Sequence, residues 1–275
     1  MMTHTRLSTL LLYIYVAASS TATCAAADSV RHRVHIAGAG RPAIVFSSGL
    51  GDTFDSWRTV QSAIAAGCAR TLAYNRAGYQ GSDAAQGRRD STTIVAELRG
   101  ELQRRGIAPP YVLVGHSLGG LYMQYFARQF PHEVAGLVLV DSTHWDEQLR
   151  MGADIRGDGE RRGRVMLFMS FIARRELADS VLAGEQVHAS PGARISTIVL
   201  SSTGALRGET PASRTHAARL QEDIVAEFGA RHVRVGGSGH YIQLDRPEVV
   251  IDAVREIAGC VRAGERGSDA SGSSR

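Results

Sequence analysis

Along the chain, short apolar bursts alternate with longer stretches whose apolar positions recur every three or four residues. The bursts fall at residues 30–37, 43–47, 70–74, 111–114, 136–140, 195–200 and 232–235, and they predict seven strands. The first alternates loosely between apolar and polar positions, whereas residues 43–47 and 70–74 are apolar runs. Helical spacing occupies residues 56–66, 92–105, 118–129, 213–228 and 246–261. Within 213–228, Ala217, Leu220, Ile224 and Phe228 share one face, and the charges of Glu222 and Asp223 fall on another. Asp245 and Glu248, with Pro247 in the first turn, read as a capping-box start for the last helix. Strand and helix in turn imply an α/β fold, a mostly parallel central sheet with helices on both faces.

Three stretches stand outside this rhythm. Residues 144–190 separate two strands by more than one helix needs and carry one apolar helical run, 165–181, between Arg- and Gly-rich flanks. They read as an insertion over one end of the sheet. Residues 263–275 are rich in Gly, Ser and charge and are expected to form a disordered tail. Residues 1–27 read as a signal peptide: Arg6 marks a short basic start, residues 7–18 form an apolar run, and Ala25-Ala26-Ala27 offers a cleavage site. That run is shorter than the ~20 residues a membrane span needs, so no stable span is expected. A lipoprotein reading through Cys24 is the weaker one, because Thr21 stands where Leu is usual. The expected product is a secreted or periplasmic protein whose domain occupies residues 28–262. Cys68 and Cys260 are then its only cysteines, in a compartment where a pair can crosslink.

Composition narrows the chemistry. With 275 residues, 44% hydrophobic and 21% charged, the chain can bury a core. Thirty-one basic against 27 acidic residues give a net charge of +4, scattered too evenly for a nucleic-acid footprint. All the basic residues are Arg, which excludes mechanisms that need a lysine amine, from Schiff bases to the lysine of a phosphate-binding loop. No cluster of cysteines and histidines has metal-ligand spacing, and no cofactor is expected.

The chemistry concentrates in Gly115-His116-Ser117-Leu118-Gly119-Gly120, between the strand at 111–114 and the helix at 118–129. A serine on so sharp a turn is held at strained backbone angles, and the chain two residues to either side passes too close for side chains. Gly115 and Gly119 meet that need. The turn aims the Ser117 hydroxyl outward and points the start of the helix at the same spot, where the Leu118 amide can stabilise an oxyanion.

At these residues the sequence resembles the α/β-hydrolase family, over nearly all of residues 30–262. The resemblance rests on Ser48-Gly49-Leu50-Gly51, on Gly115 to Gly120, and on Gly239-His240 between the last strand and the last helix. It implies the order nucleophile, acid, histidine, with Ser117 as nucleophile and His240 as base, and makes the amide of Leu50 the second oxyanion donor beside Leu118. It also implies a cap insertion after the sixth strand. Ser48 replaces the His that many members carry, and Asn75, in the turn from Tyr74 to Ser82, replaces a usual Asp; that turn is read as structural. His240 follows a Gly-rich loop at the carboxyl end of a strand, where such sheets carry their catalysts. His116 is expected to pack or hydrogen-bond locally, and His232 to be a surface or packing residue.

The acid is the open position. The strand at 195–200 is followed by Ser201-Ser202-Thr203-Gly204, with no carboxylate until Glu209. Asp141, at the end of the strand 136–140, either serves as the acid or caps the turn at Ser142 and Thr143; Glu209 reads as a loop residue. The expected activity is that of a carboxylesterase-like serine hydrolase cleaving an ester or related acyl bond of a small-molecule substrate through an acyl-enzyme. The alternatives are an inactive hydrolase-like binding protein and a cofactor-free haloperoxidase-like enzyme. Trp145, Met166, Phe168, Met169 and Phe171 of the insertion are available either for substrate contact or for packing. In the family's layout the helices ending near Cys68 and Cys260 share a face of the sheet, which implies a disulfide between them.

Overall fold

Alternate side chains of β2 (Ala43–Ser47) divide between two cores: Ala43 and Val45 enter one, Ile44 and Phe46 the other. The same division repeats in β4 (Tyr111–His116) and β5 (Val134–Val140), so the centre of the sheet is apolar on both faces. These strands, with β1 (Val34–Ala37), β3 (Thr71–Tyr74), β6 (Thr197–Ser202) and β7 (Arg231–Val235), form one seven-stranded sheet in the order β1-β3-β2-β4-β5-β6-β7. Only β1 runs antiparallel. The computed structural model describes residues 30–147, 169–204 and 211–260. The expected signal peptide, the tail at 263–275 and Glu209 lie outside the described residues.

Helices α1 (Arg58–Ala65) and α6 (Pro247–Ala258) cover one face of the sheet, the latter through Val250, Ala253 and Val254. The other face carries α2 (Ser91–Arg104), α3 (Leu118–Gln129), α4 (Phe171–His188) and α5 (Pro211–Phe228). Cys68 and Cys260, beyond the ends of α1 and α6, are joined by a disulfide with α-carbons 5.4 Å apart. Among the described residues no helix is long and apolar enough to cross a membrane.

Four expectations need correction. The first strand begins at Val34, because the amides of Arg31, His32 and Arg33 donate to the side chains of Asp83, Glu101 and Ser82 rather than to a neighbouring strand. The insertion follows the fifth strand in chain order, not the sixth. Its helix is Phe171–His188, later than the expected 165–181: the Ser170 hydroxyl accepts from the Ala173 amide at the start, and burial of Ala183 and Val187 carries the helix onward. Finally, Asp245 caps nothing in α6. A short turn, Ile242–Asp245, precedes that helix, and the Asp245 carboxylate accepts the Gly239 amide at 2.8 Å instead.

Candidate active site

Ser117 sits between β4 and α3 with φ 50° and ψ −127°. Close approach enforces those angles. A Cβ at Gly119 would lie 2.4 Å from the Ser48 carbonyl oxygen, and one at Gly115 would lie 2.6 Å from the Gly120 α-carbon. Backbone bonds fix the turn to the end of β5: the Ser117 amide donates to the Val140 carbonyl, and the Thr143 amide donates to the Ser117 carbonyl.

Asp141 follows β5 directly. Its backbone is also left-handed, φ 42°, and its amide donates to the Leu200 carbonyl of β6 at 2.7 Å. This geometry turns its carboxylate toward the loop after β7, where Oδ2 lies 2.7 Å from Nδ1 of His240. The same carboxylate accepts the Ser202 amide at 2.9 Å and the Ser202 hydroxyl at 3.1 Å. Burial alone would lower the His240 pKa, but the Asp141 hydrogen bond and charge outweigh it and leave the imidazole raised. Ser117, Asp141 and His240 line one cavity of about 410 Å³.

The candidate oxyanion donors come from adjacent strand ends, since β2 pairs with β4 and Ser47 stands opposite Gly115. Leu118 opens α3, and Leu50 lies just beyond β2. Neither amide hydrogen-bonds to another described residue. The loop that carries Leu50 is braced from beneath by a buried guanidinium. Arg76 donates to the carbonyls of Ser48 and Gly49 at 2.6 and 2.8 Å and pairs with both carboxylate oxygens of Glu176 on α4. Tyr79 completes the brace, donating its hydroxyl to Glu176 and accepting the Gly51 amide. Asn75 accepts the Phe54 amide and donates to the Gln80 carbonyl, a structural role in its turn.

The other histidines separate by partner. His116 is 1% exposed, and its Nε2 donates to the backbone carbonyl of His240 at 2.9 Å, a partner far from it in sequence rather than a local one. Burial, aided by His240, pulls its pKa down to about 3. It is therefore a neutral ring tilted by 50° against the His240 imidazole, with centroids 4.6 Å apart. His232 bonds the Ser201 hydroxyl and lines the cavity, which its place in a strand did not reveal.

Of the insertion's apolar residues, Trp145 stacks on His188 and donates to Glu227, a packing role. Phe171 is 74% exposed and Met169 is partly exposed; Met166 and Phe168 lie outside the described residues. The sequence reading also passed over Glu147, Arg214, Gln221 and Arg234, which share the cavity. No spacing rule joins them, because they come from α5, β7 and the segment after β5. Among the described residues, no group of three or more His, Cys, Asp or Glu is placed to hold a metal ion.

A family model described as alpha/beta hydrolase fold matches residues 42–161. Among curated proteins, the chain is similar to the uncharacterized protein YbdG of Bacillus subtilis (strain 168), at 29% identity over 115 residues, 42% of this chain and 35% of that protein. The matches span less than half the length of the curated relatives. Among solved structures, a thermophilic esterase from Thermogutta terrifontis superposes with a TM-score of 0.56 at 18% identity, covering 82% of this chain and 92% of that one. The enol-lactonase from Burkholderia xenovorans LB400 gives a TM-score of 0.57 at 19% identity, covering 84% and 97%. At such identities the likeness is one of fold.

Proposed function

This chain has the alpha/beta hydrolase fold, and from that premise we propose that it is a serine hydrolase cleaving a carboxylic ester or related acyl bond through an acyl-enzyme on Ser117. The observation that carries the reading is the Asp141–His240 bond in a cavity shared with Ser117. With Nδ1–H given to Asp141, the Nε2 of His240 is the acceptor for the serine proton. Ser117 Oγ adds to the substrate carbonyl carbon as that proton passes to Nε2. The developing oxyanion takes hydrogen bonds from the amides of Leu50 and Leu118, and the positive end of α3 adds to them. The bond to the leaving group then breaks as His240 returns the proton. Water repeats the sequence against the acyl-enzyme and releases the acid.

The protein acts, in this reading, after export and removal of residues 1–27. The Cys68–Cys260 disulfide supports an oxidising compartment. An inactive binding protein would fit the absence of a carboxylate in residues 201–204, but the carboxylate of Asp141 at the His240 imidazole supports the enzyme reading instead. A haloperoxidase-like activity would use the same three residues and is separated by assay. Turnover of short p-nitrophenyl esters tests the proposal. It should be lost in Ser117→Ala and in His240→Ala, and equal turnover in either variant contradicts it.

A further inference from the structure

Alternation along β4 sends Val112, Val114 and His116 toward the face covered by α1 and α6, where the His116 ring meets the edge of Trp57. That ring approaches both loops the chemistry needs. A Cβ at Gly49, next to Leu50, would lie 3.0 Å from its Nδ1, and its Nε2 bonds the His240 carbonyl at 2.9 Å. A carbonyl only accepts, so the proton of the neutral ring is on Nε2. Nδ1 has no hydrogen-bond partner among the described residues, and Oδ2 of Asp52, 3.9 Å away, is too far to bond. A buried imidazole with one nitrogen unsatisfied fills space less favourably than an apolar side chain of similar volume. What it adds is one hydrogen bond, to His240.

The loop that receives this bond needs an anchor, because Gly236, Gly237 and Gly239 admit many backbone conformations. Along it, the Gly236 carbonyl accepts from Arg246, the Ser238 carbonyl accepts the Gly204 amide, the Gly239 amide donates to Asp245, and the His240 carbonyl accepts from His116. Of these partners His116 alone belongs to a strand, and Ser117 stands at that strand's end. We propose that His116 is the positioning residue of this site: its Nε2–H holds the main chain of His240, so the elbow that bears the nucleophile also fixes where the base stands. Asp141 orients the imidazole through Nδ1, and His116 sets the backbone from which that imidazole hangs. A displacement of about 1 Å at a reacting group can cost about 100-fold in rate. The kinetic consequence rests on the serine hydrolase reading; the placement of His240 does not.

Three single variants of the full chain separate positioning from packing. His116→Gln keeps an N–H donor at nearly the same reach, whereas His116→Leu and His116→Met fill the space without one. With p-nitrophenyl acetate, kcat of the Leu and Met variants should fall by at least about tenfold while KM stays within about twofold of the parent. Labelling of Ser117 by a fluorophosphonate should slow in proportion, and His116→Gln should recover most of both rates. The low-field proton resonance of the Asp141–His240 hydrogen bond should broaden or vanish in the Leu and Met variants and persist in the Gln variant, with circular dichroism confirming the fold of each. Parent-like kcat without the donor, an equal loss in the Gln variant, a loss confined to KM, or Leu and Met variants that both fail to fold would overturn the proposal. An unsubstituted chain that neither turns over the ester nor takes the label removes the hydrolase reading, and the resonance then decides alone. Its persistence in the Leu and Met variants overturns the positioning role, and its loss there with retention in the Gln variant upholds it.

Discussion

Oδ2 of Asp141 lies 2.7 Å from Nδ1 of His240, across 99 residues of sequence. Asp141 reaches it because its own backbone is left-handed and because Ser202 holds the carboxylate from the other side. Asn tolerates the same backbone region, so Asp141→Asn changes the acceptor with little change of shape. Its kcat for p-nitrophenyl acetate should fall by about ten-thousandfold with an unchanged circular dichroism spectrum. Glu209→Gln should stay within about tenfold of the unsubstituted protein. The reverse pattern would move the acid to the later loop.

The pH profile follows from the same pair. His240 must be neutral to accept the serine proton, and Asp141 raises its pKa above the ordinary 6.5. The logarithm of kcat/KM should therefore rise with pH, with unit slope, and level off only above that value. A plateau reached well below pH 6.5 would show that this imidazole is not the titrating base. His116, held down near 3, contributes no ionisation in the range.

Much of this was legible in the sequence, for identifiable reasons. The elbow is local: Gly115, Ser117 and Gly119 must be neighbours in sequence for the turn to close, so the motif names its own residues. Asp141 was legible as one of two readings, because a strand end is visible in an apolar run but the direction of a side chain is not. The Arg76–Glu176 brace was illegible, since its members stand 100 residues apart and each alone reads as an ordinary charge. Asp245 misled for a related reason. Its spacing to Glu248 fits a capping box, but the Gly239 amide competes for the carboxylate and takes it.

The brace joins α4 to the loop that carries Leu50, so damage to it should appear in both stability and rate. Glu176→Gln leaves a buried guanidinium without its counter-charge, a loss of about 3–5 kcal/mol. Urea unfolding should show that loss. In the folded fraction kcat should fall more than KM rises, because the loop carrying Leu50 is no longer held. A variant as stable and active as the parent would show that the pair contributes nothing to either.

The disulfide closes a separation of 192 residues and ties α1 to α6 beneath the sheet. Replacing Cys68 and Cys260 together by Ala should cost about 3–5 kcal/mol in urea unfolding, with ester turnover retained at temperatures where the variant stays folded. Denatured, unreduced protein should resist iodoacetamide. Alkylation of both cysteines without reductant would contradict the bridge.

The central claim is that Ser117 is an activated nucleophile, and reaction with a fluorophosphonate followed by peptide mapping tests it most directly. The account predicts one phosphonyl group per chain, on Ser117, with labelling abolished in Ser117→Ala and strongly slowed in His240→Ala. A folded protein that remains unlabelled, or one labelled on another residue, would contradict it.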